Sequence, residues 1–323
     1  MNLTPIVLYN NTSSASPAPF QQMLIIPANT SINSTYTNIR FRDGNYKLLT
    51  SWLESYTTSS ATIWIVLPNG ISSKSAMTIY METGNLSDNF LDGVTVGEAP
   101  QLSGTYGQYD NGAKVFSNYW NFAGTSLPSG WETLLLDTTV SVNNGIIFDV
   151  LTSGDAGDAY FSDTISTPSV IDMYVKSSGG TDTAAFFSET DISSTNLTNA
   201  NINNGYVAGF AGSPVQELWK NQGSGYAELV AGTAPFSFPA ILTLSWGGTG
   251  ILASYYNYGY EISSTDSTFS VGQYLVGITI GHHFTGTAEV SWLRVRAYPP
   301  NGTMPIQVNE LSSTVNITEG LII

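Results

Sequence analysis

The chain has 323 residues, room for two domains or one large β domain. Its 24 carboxylates against 9 basic residues give a net charge of −15, which excludes the cationic footprint that nucleic acid or an anionic membrane would need. Only 10% of residues are charged, but 18 Tyr and 7 Trp supply the mass of a large core, so disorder is excluded; with no Cys, so are a disulfide framework and a thiol nucleophile.

Strand signals begin at once. TPIVLYN (4–10) is a short apolar run, and FQQMLIIP (20–27) follows and closes at Pro27. ATIWIVLP (61–68) is β-branched and aromatic and again ends at a proline, while AMTIYME (76–82) alternates. Short strands bounded by Gly, Pro and Asn predict a β-sandwich domain over 1–84. From 85 to 115 the chain turns rich in Gly, Asp and Ser. Its hydrophobes, among them Phe90, Leu91, Val96 and Tyr106, predict an ordered connecting segment that packs. About eleven strand candidates then run from ETLLLDTTVSV (132–142) to AEVSWLRVRAY (288–298), with turns such as Asn144-Gly145 and Asn204-Gly205 between them. That spacing predicts a jelly roll over 116–300, followed by a strand tail over 301–323. No sustained helical periodicity appears, so the fold class is all-β: two β-sandwich or jelly-roll domains with almost no helix.

Nine Asn-x-Ser/Thr triplets start at Asn2, Asn10, Asn11, Asn29, Asn33, Asn85, Asn196, Asn301 and Asn316. They predict N-linked glycans on an extracellular, cell-surface chain. The first residues, MNLTPIVLYN, lack the basic start and long apolar run of a secretion signal, which reads as a mature or trimmed chain. No window reaches the roughly 18 apolar residues of a membrane span. A hydroxyl-rich surface with few ion pairs to lose suits an acidic medium.

The pieces PIVLYNNT, NIRFRDGNYKLLTSWLE and ATIWIVLPNGISSKSAMTIYMETGN occur in that order in the first 85 residues. They resemble a domain family of unknown function found in archaeal and bacterial secreted and surface proteins. The stretch from VFSNYWNFAGTSLPSGWE to AEVSWLRVRAYPPNGTMP resembles a concanavalin-like, or laminin-G-like, jelly roll. Such pairs recur in archaeal surface proteins, and some archaeal surface filaments are β-sandwich subunits joined by donated strands. The resemblance implies an extracellular location and no enzymatic activity. Because laminin-G-like domains often bind calcium, it keeps that ion as the one cofactor in view, with no ligand set assigned.

The remaining chemistry is sparse. A polysaccharide-cleaving jelly roll needs clustered carboxylates facing one cleft. Asp155 and Asp158 lie in a Gly-rich stretch that reads as a loop; Glu189 and Asp191 alternate at a strand end, and both pairs read as solvated turns. His282 and His283 are adjacent, so a strand would point them to opposite faces. In ASYYNYGYE (253–261), one continuous strand would put Tyr256, Tyr258 and Tyr260 on one face, making them candidates for a glycan-stacking platform. Trp219 reads as a core ring or a concave-face ring.

The tail IQVNELSSTVNITEGLII alternates at Ile306/Val308 and Val315/Ile317. An unpaired apolar strand needs a cover, and three are open: the chain's own N-terminal domain, a membrane anchor to which the tail is the stub, or the next subunit. With Leu311 and Leu321, these residues form a candidate inter-subunit strand, inserted into the next copy in a polymer. The expected function is therefore a glycosylated, non-enzymatic subunit of a surface filament or coat, assembled by strand donation. The alternative is a carbohydrate-binding or adhesive module of a surface protein.

Overall fold

The computed structural model describes residues 2–154, 156–179, 181–189, 204–211, 215–222, 225–233, 237–248, 250–281 and 285–309. The chain divides into two compact units, Met1–Asn118 joined by the chain from Pro299, and Tyr119–Tyr298. Both are all-β.

The first unit holds β1 Asn2–Asn10, β2 Phe20–Pro27, β3 Ile39–Arg42, β4 Leu48–Leu49, β5 Ser51–Tyr56, β6 Ser60–Leu67, β7 Ser75–Thr83 and β8 Val96–Glu98. The expected connecting segment supplies β8, which runs parallel to β5. The sheet order β2-β6-β5-β8 packs apolar residues such as Leu24, Trp64 and Ile65, all fully buried.

The second unit holds β9 Asn118–Trp120, which begins at its boundary, then β10 Trp131–Leu135, β11 Thr138–Val142, β12 Ile146–Val150, β13 Ala156–Ser166, β14 Ser169–Ser178, β15 Asp182–Ser188, β16 Gly205–Ala211, β17 Val215–Gln222, β18 Gly225–Ala231, β19 Ala240–Trp246, β20 Ile251–Tyr256, β21 Tyr260–Thr265, β22 Gln273–Gly281 and β23 Gly286–Ala297. Seven strands form one sheet, β10-β13-β22-β15-β16-β17-β18; the facing sheet orders β11-β12-β23-β14-β19-β20-β21. The core between them includes Phe148, Met173, Phe187, Trp246, Ile278 and Leu293. The Trp246 ring meets Tyr206 and Tyr274 edge-on, with centroids 4.8 and 4.6 Å apart.

The last described strand, β24 Ile306–Asn309, returns to the first unit. It pairs antiparallel with β1, Tyr9 opposite Ile306 and Val7 opposite Val308, and so heads the sheet β24-β1-β7-β3-β4. Gln307 reaches the edge of the other sheet. Its amide accepts from the Ile25 backbone N–H at 2.8 Å and donates to the Ile25 carbonyl at 2.9 Å. Gln22 donates to the Pro305 carbonyl at 3.1 Å. This corrects the expectation that Ile306 and Val308 serve a neighbouring molecule: β1 offers a hydrogen-bonding edge within the same chain, and β24 takes it. Leu311, Val315, Ile317 and Leu321 lie outside the described residues.

All four arginines of the chain work in two like-built clamps. Alternate residues of a strand share a face, so Arg-x-Arg presents two guanidiniums side by side to the next strand. In the first unit, Arg40 Nη2 and Arg42 Nε donate to the two carboxylate oxygens of Glu82 at 2.6 and 2.5 Å. In the second, Arg294 Nε and Arg296 Nε both donate to Asp172 Oδ2 at 2.8 Å, and Thr243 donates to Oδ1 at 2.7 Å. Asp172, Arg294 and Arg296 have fully buried side chains. Burial pushes each carboxyl pKa up, but the paired guanidiniums outweigh it and hold both Glu82 and Asp172 below the ordinary carboxylate range.

A carboxyl depressed in the folded chain contributes stability above its unfolded pKa, near 4, and loses it as pH falls through the lower folded value. At pH 6, Asp172→Asn is therefore expected to cost about 3–5 kcal/mol, since it leaves two buried cations without a counter-charge. Glu82→Gln is expected to cost less, because its arginines are partly solvated. The gap between wild type and each variant narrows as pH falls below about 4 toward the depressed folded values. Urea unfolding from pH 2 to 7 checks this; equal stability of Asp172→Asn and wild type at pH 6 contradicts it.

Candidate functional site: an aromatic row on the seven-stranded sheet

Side chains alternate across a strand, so the core residues identify the opposite face by elimination. Ala159 and Phe161, Ala185 and Phe187, Ala208 and Leu218 point to the core. Asp158 and Tyr160, Ala184 and Phe186, Val207, Glu217 and Trp219 therefore take the outer face. Ladder register aligns them in rows. One row runs Glu132, Tyr160, Gly277, Phe186, Val207, Trp219, Glu228. The next runs Leu134, Asp158, Thr279, Ala184, Gly209, Glu217.

Tyr160 and Trp219 pack from either side on a cluster of Ala184, Phe186 and Val207. Gly277 makes room for it: a Cβ there would sit 2.6 Å from the tip of the Phe186 ring and 2.4 Å from the Ala159 carbonyl oxygen. At one end Tyr160 donates to Glu132 Oε2 at 2.9 Å. Burial, then this hydrogen bond and the Glu132 charge, push the Tyr160 phenol up to about 12, so it remains a donor at any ordinary pH. At the other end a register shift between Leu218 and Trp219 makes Leu229 the extra residue of β18. Leu229 and Val230 both pack on the core, while Trp219, half-buried, faces outward opposite the exposed Glu228. Tyr226, opposite Asn221 and 53% exposed, lies diagonal to Trp219 on the same face. This end of the face thus offers two partly solvated aromatic rings bordered by the carboxylates of Glu217 and Glu228.

The tyrosine platform expected at 256, 258 and 260 is corrected. The segment is a hairpin, not one strand: Asn257 and Tyr258 both have positive φ (48° and 58°), and the Gly259 N–H closes the turn on the Tyr256 carbonyl. Tyr258 is buried at 8% exposure, its hydroxyl accepting from Arg294 at 2.5 Å. The Tyr256 hydroxyl donates to the Ser237 carbonyl, and the Tyr260 hydroxyl accepts from the Thr233 N–H. Their polar ends are committed to the fold, and Tyr260 packs on the core.

Asp158 is also corrected: it lies on β13, fully buried, rather than in a loop. Its expected partner Asp155, together with Asp191, His282 and His283, falls outside the described residues. Glu189, just past β15, accepts from the Asn204 amide at 2.9 Å. Among the described residues no group of three or more His, Cys, Asp or Glu is placed to hold a metal ion, and no helix is long and apolar enough to cross a membrane. Of the triplet asparagines, Asn2, Asn11, Asn29, Asn85 and Asn301 are exposed and Asn33 is half-buried. Asn10 is a correction, being fully buried with its amide donating to the Ser14 and Ile71 carbonyls. Asn196 and Asn316 are outside the described residues.

Trp219 was in view from sequence; Tyr160, Phe186 and Tyr226 were not. The signal was the aromatic doublets Tyr160-Phe161 and Phe186-Phe187, since adjacent strand residues put one ring on each face.

Residues 35–99 match a family described as a domain of unknown function, DUF2341. Several residues of that stretch hold the first unit together. Arg40 and Arg42 clamp Glu82, the Trp64 indole donates to Glu54 at 2.8 Å, and the Trp52 indole donates to Asp110 at 2.9 Å. Across 98% of its length the chain is 29% identical to uncharacterized protein 562 of Sulfolobus islandicus rod-shaped virus 1, and it spans 61% of that relative. About half the chain is similar in fold to solved β-sandwiches. A carbohydrate-binding module, CBM66, from Bacillus subtilis aligns over 52% of this chain and 96% of its own, with 18% identity and a TM-score of 0.40. The carbohydrate recognition domain of Emp47p aligns over 55% and 92%, with 13% identity and a TM-score of 0.42. The calcium-bound exoplasmic domain of VIP36 aligns over 55% and 88%, with 12% identity and a TM-score of 0.42.

Because the Gly277 Cβ position lies against backbone as well as ring, Gly277→Ala is expected to cost about 1–3 kcal/mol, read as a fall of several degrees in the melting temperature. A melting temperature equal to wild type would show that the row is not packed as described.

Proposed function

We propose that the chain is a carbohydrate-binding module of an extracellular surface protein, and that sugar docks on the outer face of the seven-stranded sheet beside β17 and β18. One observation carries the reading: Trp219 and Tyr226 face outward, bordered by Glu217 and Glu228, instead of filling the core. Sugar rings present apolar C–H faces and a rim of hydroxyls. An indole or phenol ring stacks on the former, while the carboxylates accept from the latter. An aromatic surface of this kind on a strand pair is rigid, so little ordering is lost on binding. The acidic border favours neutral or amino sugars over sulfated or uronic ones. The own-chain pairing of β24 supports a module over a strand-donating filament subunit. The reading requires no catalytic group and no metal.

Binding of the purified chain to a panel of neutral, amino and acidic oligosaccharides, followed by calorimetry on the best ligand, tests it. Trp219→Ala and Tyr226→Ala are each expected to weaken binding about tenfold, from roughly 1–1.5 kcal/mol of lost stacking, with folding intact because both rings are partly solvated. Binding that is unchanged by both substitutions contradicts the assigned face.

A further inference from the structure

The nine Asn-x-Ser/Thr triplets are not spread evenly. Residues 119–298 contain ten asparagines but a single triplet, at Asn196. The rest of the chain holds fifteen asparagines, and eight of them open a triplet. The seven of them that lie among the described residues all belong to the first unit. Among the described residues the second unit, which carries the aromatic face, has none.

The structure sorts these seven further. Transfer of a glycan requires the amide nitrogen of asparagine to be reachable and free to give up a proton. At Asn10 it is neither: the residue is fully buried, its Nδ2 donates to the Ser14 carbonyl at 2.9 Å and the Ile71 carbonyl at 3.2 Å, and its Oδ1 accepts from the Thr12 N–H and hydroxyl. A sugar on that nitrogen would displace two buried carbonyl contacts. Asn33 is half-buried, and its Nδ2 donates to Thr37 Oγ1 at 3.0 Å and faces the Leu86 and Asp88 carbonyls at 3.4 Å. Asn11, next to Asn10, is exposed, as are Asn2, Asn29 and Asn85. Asn301 is exposed at the centre of the Pro300–Gly302 turn with φ of 53°. Its amide contacts are to the surface hydroxyls Ser13 and Ser14, so the Asn301 turn adjoins the loop that carries Asn11.

We infer that N-glycans attach to Asn2, Asn11, Asn29, Asn85 and Asn301, and that Asn10 and Asn33 stay unmodified. The donor is a polyprenyl-phosphate-linked oligosaccharide. The asparagine Nδ2 forms a C–N bond to the anomeric carbon, the anomeric C–O bond to phosphate breaks, the lipid phosphate leaves as the anion, and the amide proton passes to a base of the transferase. The assignment rests on amide exposure and triplet position alone, and it does not depend on sugar binding by the second unit.

The test is glycopeptide mapping of the folded monomer, made in a host whose transferase reads Asn-x-Ser/Thr, with fragmentation that keeps the sugar on its residue. Glycan is expected at Asn2, Asn11, Asn29, Asn85 and Asn301 and absent from Asn10 and Asn33. Two variants separate the overlapping triplets. Asn11→Gln is expected to remove one glycan. Thr12→Ala abolishes the Asn10 triplet but keeps Asn11-x-Ser13, so it is expected to leave the glycan count unchanged. Glycan on Asn10 or Asn33, loss of a glycan in Thr12→Ala, or occupancy at fewer than three of the five exposed positions overturns the assignment.

Discussion

The fold depends on charge held inside the sheets. A chain with four arginines and 24 carboxylates has few ways to neutralise its acidity, and it uses every arginine the same way. Arg40-x-Arg42 and Arg294-x-Arg296 each sit on one strand and hold a carboxylate on the strand beside it. The geometry follows from the two-residue repeat of a strand, which brings alternate guanidiniums to one face at a spacing one carboxylate can bridge. Each clamp ties ladder neighbours far apart in sequence, Glu82 forty residues from Arg42 and Asp172 122 residues from Arg294. Without disulfides, these links and the aromatic core fix which strands lie side by side.

Spending the arginines internally leaves a surface of hydroxyls, amides, scattered carboxylates and a few lysines. Such a surface offers nucleic acid and anionic membrane no cationic patch, and it suits the sugar-binding role proposed above. In the second unit the two faces of the seven-stranded sheet divide the aromatic residues between them. Phe187 and Phe161 go to the core, Phe186 and Tyr160 to the outside. Gly277 leaves room for the outer Phe186 ring, and the register shift beside Trp219 sets Glu228 and Tyr226 on the indole's face. Packing and the proposed recognition face thus come from one alternation pattern, with a glycine and a bulge as its local adjustments.

Alternation made the all-β class legible, and the Arg-x-Arg pairs stand plainly in the sequence; their partners do not, because a carboxylate 122 residues away leaves no local trace. The tail's alternation at Ile306 and Val308 marked a strand without marking its sheet, and its own chain supplied the edge. The tyrosines at 256, 258 and 260 misled for a different reason. Two-residue spacing puts them on one face only if the strand is continuous, whereas Asn257-Tyr258-Gly259 carries the Asn and Gly of a tight turn. Tertiary contacts, including the Arg294 bond to the Tyr258 hydroxyl, hold tyrosine in a left-handed conformation it seldom adopts alone.

The most direct measurement of this account is the ionisation of the two clamp carboxyls in the folded protein, followed by carboxyl carbon NMR from pH 7 downward. The account predicts that Asp172 and Glu82 keep carboxylate shifts through the ordinary carboxylate range, near pH 4, and change only at lower pH. Titration of both within that range would mean that the arginines do not hold them, and the account would fail.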